Sequence, residues 1–65
     1  MFERLKEEMA KQGISGSRLA MEAYITPSDF YNAINGRKPF YPKWRSRVAD
    51  VLGVPESELF EDEDK

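Results

Sequence analysis

The sequence contains no cysteine and no histidine. Without cysteine the chain forms no disulfide and has no thiolate nucleophile, and without either residue it lacks the usual ligands of zinc and other transition metals. We therefore expect no metal and no cofactor. No apolar run approaches the roughly 20 residues of a membrane helix, and the chain does not open with a charged-then-apolar leader, so we expect a cytoplasmic protein without a membrane partner.

The chain is also short, and its 65 residues suffice for one small domain. A domain of this size buries only about 60% of the surface that its unfolded chain exposes, so its core has to be small and efficient. The acidic residues Glu22, Asp29 and Asp50 fall in different predicted helices, without an accompanying base or metal ligand. We therefore expect that the protein is not an enzyme.

Charge is unevenly distributed along the chain. The net charge is −2, but residues 56–65 sum to −5 and residues 1–55 to +3. Residues 31–50 contain a single acidic residue, Asp50, and five basic residues. The basic residues are Arg37, Lys38, Lys43, Arg45 and Arg47. Such a run is either an ordinary solvated surface or a contact for phosphate groups.

Apolar spacing and helix-stop residues predict four or five short helices and no strand. The first ends near Gln12, with Phe2, Leu5 and Met9 on one face, and the fourth spans about residues 42–52, with Trp44 in its buried stripe.

A last helical turn is expected to close the core with Leu59 and Phe60. The loop before the fourth helix carries Phe40 and Tyr41, which look exposed. We expect residues 1–60 to form the folded domain and residues 61–65 an acidic flexible tail.

Residues 14–36 carry the strongest signal in the chain. Ser15 is a good N-cap for a second helix, and a third helix opens with Thr26 as N-cap and Pro27 at the first helical position. Two short helices joined by three or four residues form the unit with which DNA-binding proteins place a helix in the major groove. On a helical projection, one face of the third helix is apolar and the other is polar. The apolar face has Phe30, Ala33 and Ile34, and the polar face has Ser28, Asn32 and Asn35 with Tyr31 beside them.

Four fragments, in this order, resemble the Cro/CI-type helix-turn-helix family of XRE-like regulators. They are ISGSRLA at residues 14–20, ITPS at 25–28, INGR at 34–37 and VADVLGVPESELF at 48–60. The 17 residues between Gly36 and Val54 match the family's spacing without a gap, and the resemblance covers roughly residues 3–60. It implies an all-α, lambda-repressor-like domain of five helices, with a helix-turn-helix at helices 2 and 3. Such domains bind double-stranded DNA, usually as dimers on two-fold sites.

The resemblance also implies which residues meet DNA, because the second helix would lie across the backbone and the third would enter the major groove. Base contacts are expected from Pro27, Ser28, Asp29, Tyr31 and Asn32. Phosphate contacts are expected from Ser15, Ser17, Asn35, Arg37, Lys38, Lys43 and Arg47. Asn32 is the favoured base reader, since its amide can pair with N6 and N7 of adenine.

The chain departs from the family at two positions. Gly16 replaces a common glutamine, which removes a side-chain phosphate contact. Tyr24 stands where the turn usually has glycine, and a tyrosine in the left-handed conformation costs about 1 to 2 kcal/mol. At a third position the role is open: Asp29 either only caps the third helix or adds a preference for a cytosine amino group.

The favoured function is a sequence-specific DNA-binding transcriptional regulator, a small repressor of the phage or plasmid type that occupies an operator as a homodimer. The alternative is a protein-interaction module with the same fold, antitoxin-like or an anti-repressor component, with weak or no specific DNA binding. The overall acidity and Gly16 favour the alternative, whereas the basic cluster favours DNA. Candidate dimer contacts are the edge with Leu59 and Phe60, or the loop with Phe40 and Tyr41. The two loop aromatics have three open roles: they cover the loop, they form a dimer contact, or they stack against the sugar-phosphate backbone.

Overall fold

The computed structural model describes residues 1–60, and the expected acidic tail lies outside the described residues. Over residues 1–60 the chain forms five helices and no strand. They are α1 (Glu3–Gln12), α2 (Gly16–Glu22), α3 (Pro27–Ile34), α4 (Pro42–Leu52) and α5 (Glu56–Leu59). The expected all-α class is confirmed.

The starts of α2 and α3 follow from their capping residues. The Ser15 hydroxyl oxygen accepts a hydrogen bond from the Arg18 N–H at 3.1 Å, and the Thr26 hydroxyl oxygen accepts one from the Asp29 N–H at 3.4 Å. Each bond satisfies a backbone donor that the first helical turn leaves without a partner. Pro27 follows Thr26 at the first helical position, where its missing N–H costs nothing.

The end of α3 is equally well defined. Asn35 is the C-cap, and Gly36 follows with φ of 79°, a left-handed conformation that glycine adopts without steric strain. The carbonyl of Asn32 then accepts hydrogen bonds from the N–H groups of Arg37 and Lys38, at 2.8 and 3.2 Å. The loop after α3 is therefore tied to the last turn of the helix.

The core of residues 1–60 contains only apolar side chains. Six large side chains are almost completely buried: Phe30, Phe60, Leu5, Leu19, Leu59 and Val48. Helix α2 packs against both α3 and α4, and α1 packs against α4 and α5. The pair α2–α3 is thus fixed to the remaining helices through the buried side of α2.

Phe40 corrects one expectation, because its side chain is buried at 5% exposure rather than displayed on the loop. Its ring lies at the centre of an aromatic cluster, 5.2 Å from Phe2, 6.1 Å from Phe30, 5.0 Å from Phe60 and 6.4 Å from Trp44, between centroids. Because the Phe40 ring contacts several apolar side chains, its burial is lower in free energy than its exposure to solvent.

Two further expectations need correction. Phe2 lies before α1 with φ of 57°, not on a helical face, although its side chain is buried. Leu59 and Phe60 are buried at 2% and 0% exposure, so their side chains do not form an exposed apolar edge. Trp44 packs half-buried against the core, as its spacing predicts. Tyr41 is exposed as expected, with its ring 4.8 Å from that of Trp44.

Candidate nucleic-acid interface

Residues 23–26 form the turn that sets α3 relative to α2. The flanking side chains of Ala23 and Ile25 are buried, while Tyr24 between them is 86% exposed. Tyr24 has φ of 58°, so the left-handed turn residue that the sequence suggested is present as tyrosine. The Ile25 N–H bonds to the Ala20 carbonyl at 2.8 Å, which closes the turn directly onto α2. The turn is therefore held by its buried neighbours and not by the Tyr24 side chain.

Helix α3 has one buried and one outward face. Phe30, Ala33 and Ile34 are buried in the core. On the other side Pro27, Ser28, Tyr31 and Asn35 are exposed and Asn32 is half-buried. Within residues 1–60 the side chains of Ser28, Asn32 and Asn35 make no hydrogen bond. Their polar groups are therefore available to a ligand.

Asp29 and Lys38 form an ion pair across this face. The Lys38 Nζ donates a hydrogen bond to Asp29 Oδ1 at 2.6 Å, and both side chains are partly exposed. The bond from the Lys38 ammonium, with a smaller contribution from Thr26, lowers the pKa of the Asp29 carboxyl. Asp29 in turn raises the pKa of Lys38. Asp29, expected to cap α3 or to read a base, and Lys38, expected to contact phosphate, are thus bound to each other.

Tyr31 and Ser17 are brought together where α2 begins. Their hydroxyl oxygens lie 3.5 Å apart, and the Tyr31 ring packs edge-on against Phe30 at 5.9 Å between centroids. The ring also lies against the backbone of Gly16, which is buried. An expected base contact, Tyr31, therefore adjoins an expected phosphate contact, Ser17.

The basic cluster divides into paired and unpaired residues. The Arg45 Nε donates a hydrogen bond to the Phe40 carbonyl at 3.0 Å, and its guanidinium lies 5.0 Å from the centre of the Phe60 ring. Arg45 is thus used in holding the loop to the core. Within the described part of the chain, the exposed side chains of Arg37, Lys43 and Arg47 have no hydrogen-bond or ion-pair partner.

The predicted phosphate contacts come from three parts of the fold. Ser15 and Ser17 lie at the start of α2, and Asn35, Arg37 and Lys38 follow the end of α3. Lys43 and Arg47 lie four residues apart on α4, which packs against α2. No hydrogen bond or ion pair within residues 1–60 joins these two residues to the outward face of α3.

Sequence reasoning missed the Asp29–Lys38 pair and the contact of Tyr31 with Gly16. Asp29 and Lys38 are nine residues apart, and only the left-handed Gly36 turns the chain back so that they meet. The single available signal for the second contact was a glycine at the start of a helix, where other residues are better helix formers.

Comparisons of the chain with protein-family models, with curated proteins and with solved structures found no match. None of the five helices within residues 1–60 has the length and apolar character needed to cross a membrane. In the same residues, no group of three acidic side chains is arranged to hold a metal ion.

Proposed function

We propose that this protein is a sequence-specific double-stranded DNA-binding regulator of transcription, with a lambda-repressor-like helix-turn-helix formed by α2 and α3. One observation carries the proposal: α3 is anchored by a buried apolar face, and on its opposite face the side chains of Ser28, Asn32 and Asn35 have no partner within residues 1–60. A face of this kind has hydrogen-bonding groups to offer to base edges in the major groove.

Base reading falls to Ser28 and Asn32, which are one helical turn apart, with Pro27 and Tyr31 beside them. The Asn32 amide offers one donor and one acceptor, the pattern that matches N7 and N6 of adenine. Loss of such a pair reduces base discrimination by about 1 to 3 kcal/mol. Asn32 is therefore the residue whose removal should change sequence choice most.

Phosphate contacts fall to residues around both helices. The Ser15 and Ser17 hydroxyls at the start of α2, and Asn35 and Arg37 after α3, surround the reading face. The oxygen of Ser15 already accepts the capping bond, but its hydroxyl hydrogen is free to donate to a phosphate oxygen. Lys43 and Arg47 add positive charge on α4. Each phosphate contact makes the slope of log K against log salt concentration steeper by roughly 0.9.

The proposal includes a dimer on a two-fold operator, and the size of the domain is compatible with it. The described chain measures 26 × 25 × 18 Å, whereas half-sites one helical turn apart are separated by about 34 Å. One copy is therefore large enough to cover one half-site but not two. In the proposal, two copies occupy the two half-sites of the operator. Because Leu59 and Phe60 are buried, the exposed Tyr41 is the remaining candidate among the expected dimer contacts.

Repeated selection of bound duplexes from a randomised pool at moderate salt tests the proposal. We expect an enriched two-fold site with half-sites about one helical turn apart. Asn32→Ala should relax the choice of base at one position in each half-site, leaving the remaining positions unchanged. A pool that shows no enrichment, with weak binding that vanishes as salt rises, would instead support the protein-interaction alternative.

A charge-reversal pair tests the placement of DNA. Arg37→Glu should abolish operator binding, because Arg37 adjoins the end of α3 and has no partner within residues 1–60. Arg4→Glu is the matched control, since it makes the same change of net charge at an exposed position of α1. Equal losses in the two variants would mean that only the overall charge matters and that α3 is not the reading helix.

A further inference from the structure

The ion pair of Asp29 and Lys38 lies on the part of the molecule that the proposed function assigns to DNA. Asp29 is in the first turn of α3, and Lys38 follows the end of the same helix. The Lys38 N–H is bonded to the Asn32 carbonyl at 3.2 Å, so the backbone from which the lysine extends is itself held against α3. The side chains of Asp29 and Lys38 keep 33% and 44% of their exposure. The pair is thus positioned by the helix and remains accessible to a ligand.

We propose that Asp29 restrains non-specific DNA binding by holding Lys38 in a closed, electrically neutral pair on the DNA-facing side of α3. This inference rests on the proposed function. It assigns to Asp29 a part in specificity without any contact to a base.

The physical reason lies in the origin of non-specific affinity. That affinity comes from cations that neutralise phosphates and release counterions, independently of sequence. A lysine that is already neutralised by a carboxylate releases no further counterion, and to reach Lys38 a phosphate must displace the like-charged Asp29. By contrast with Lys38, the neighbouring Arg37 has no ion-pair partner within residues 1–60. Only the unpaired cations then contribute to binding of random sequence.

The test measures affinity for a duplex of random sequence as a function of salt concentration, for the unmodified protein and three variants. Asp29→Asn frees Lys38, so the slope of log K against log salt concentration should become steeper by about 0.9. Between 1 M and 0.1 M salt, the affinity of this variant should therefore rise roughly eightfold more than that of the unmodified protein. Asp29→Asn combined with Lys38→Gln keeps the net charge of the unmodified protein. It should restore both the slope and the affinity of that protein.

Lys43→Gln is the matched control, since Lys43 is an exposed lysine without a partner in the described chain. Because the proposed function assigns one phosphate contact to Lys43, this variant should reduce the slope by about 0.9. Circular dichroism at each salt concentration checks that all variants are folded, and we expect them to be, because exposed ion pairs contribute little to stability.

Two results would overturn the inference alone. If the double variant has a shallower slope than the unmodified protein while Asp29→Asn does not change it, Lys38 is an ordinary phosphate contact that Asp29 does not restrain. If the unmodified protein, the Asp29→Asn variant and the double variant have equal slopes, Lys38 does not face DNA. Absence of measurable binding to any duplex at low salt, by the unmodified protein and every variant, would overturn the proposed function together with the inference.

Discussion

The ring of Tyr31 lies against Gly16 so closely that a Cβ atom on Gly16 would be 2.7 Å from the Tyr31 hydroxyl oxygen and 2.8 Å from the ring carbon that bears it. Real Cβ atoms do not approach other heavy atoms to this distance. The first residue of α2 and the outward side of α3 are therefore in close contact, and the glycine at position 16 has a structural reason.

A double-mutant cycle tests this relationship. Gly16→Ala should be less favourable in the unmodified protein than in a Tyr31→Ala background by about 1 kcal/mol, because the outer end of the Tyr31 ring must move to make room for the Cβ atom. In a Tyr31→Ala background the same change should stabilise the protein by up to about 1 kcal/mol, since alanine is the better helix former. The midpoints of urea unfolding, followed by circular dichroism, give both values. Equal effects in the two backgrounds would contradict the close contact.

Tyr24 offers a stabilising substitution. Its φ of 58° is strained for tyrosine, and its exposed side chain packs against little. Tyr24→Gly should remove a strain of about 1 to 2 kcal/mol, partly offset by the larger entropy of glycine in the unfolded chain, about 0.4 to 1 kcal/mol. We expect a net stabilisation of about 1 kcal/mol by urea unfolding.

Phe2 is the control for Tyr24, since it has nearly the same φ of 57° but a buried ring. Phe2→Gly should lower the free energy of unfolding by about 3 to 5 kcal/mol, because the burial of an aromatic ring is lost. A destabilising effect of Tyr24→Gly would show that the exposed tyrosine has packing partners beyond its own turn.

Phe40 and Tyr41 are adjacent aromatic residues with opposite surroundings, buried in one case and 47% exposed in the other. Phe40→Ala should destabilise the protein by about 3 to 5 kcal/mol, which for a domain of this size approaches complete unfolding. Tyr41→Ala should change stability by less than about 1 kcal/mol, within the usual range for surface substitutions. Thermal unfolding of both variants provides the comparison, and equal losses would contradict the burial of Phe40.

The carboxyl of Asp29 should titrate below the usual range of aspartate, because the Lys38 ammonium, and to a smaller degree Thr26, favour its charged form. The contribution of the pair to stability is then present at neutral pH and is lost as the pH falls through the lowered pKa of Asp29. At the alkaline end it is lost as the pH rises through the raised pKa of Lys38.

Carboxyl-carbon NMR measures the pKa of Asp29 directly. Lys38→Gln should bring this pKa back towards its ordinary value, whereas Arg37→Gln, which leaves the pair intact, should not change it. An unchanged pKa of Asp29 in the Lys38→Gln protein would mean that the two side chains do not meet in solution.

Local signals accounted for most of the secondary structure. The caps Ser15 and Thr26, together with Pro27, predicted where α2 and α3 begin, and Gly36 predicted where α3 ends. These predictions were accurate because a cap acts on backbone groups within three or four residues of itself. The outward position of Ser28 followed in the same way from helical periodicity.

Burial of the loop and terminal aromatics was not predictable in this way. Phe40 lies outside any helix, so no periodicity marked it as a core residue, and only the meeting of Phe2, Phe30 and Phe60 provides the apolar space that its ring fills. For the same reason the sequence did not show that Leu59 and Phe60, candidate dimer contacts, are buried within the domain.

The sequence by itself determined the all-helical class, the ends of the helices and the polar character of the outward side of α3, since these depend on interactions between near neighbours. Only the tertiary structure decided that Asp29 neutralises Lys38 and that Tyr31 covers Gly16. Gly16 and Tyr31 belong to different helices, and Lys38 lies beyond the end of the helix that contains Asp29. The distances within both pairs depend on how the turn at Tyr24 and the loop at Gly36 direct the chain. Such directions are set when the apolar faces of the helices pack together, which no single segment specifies.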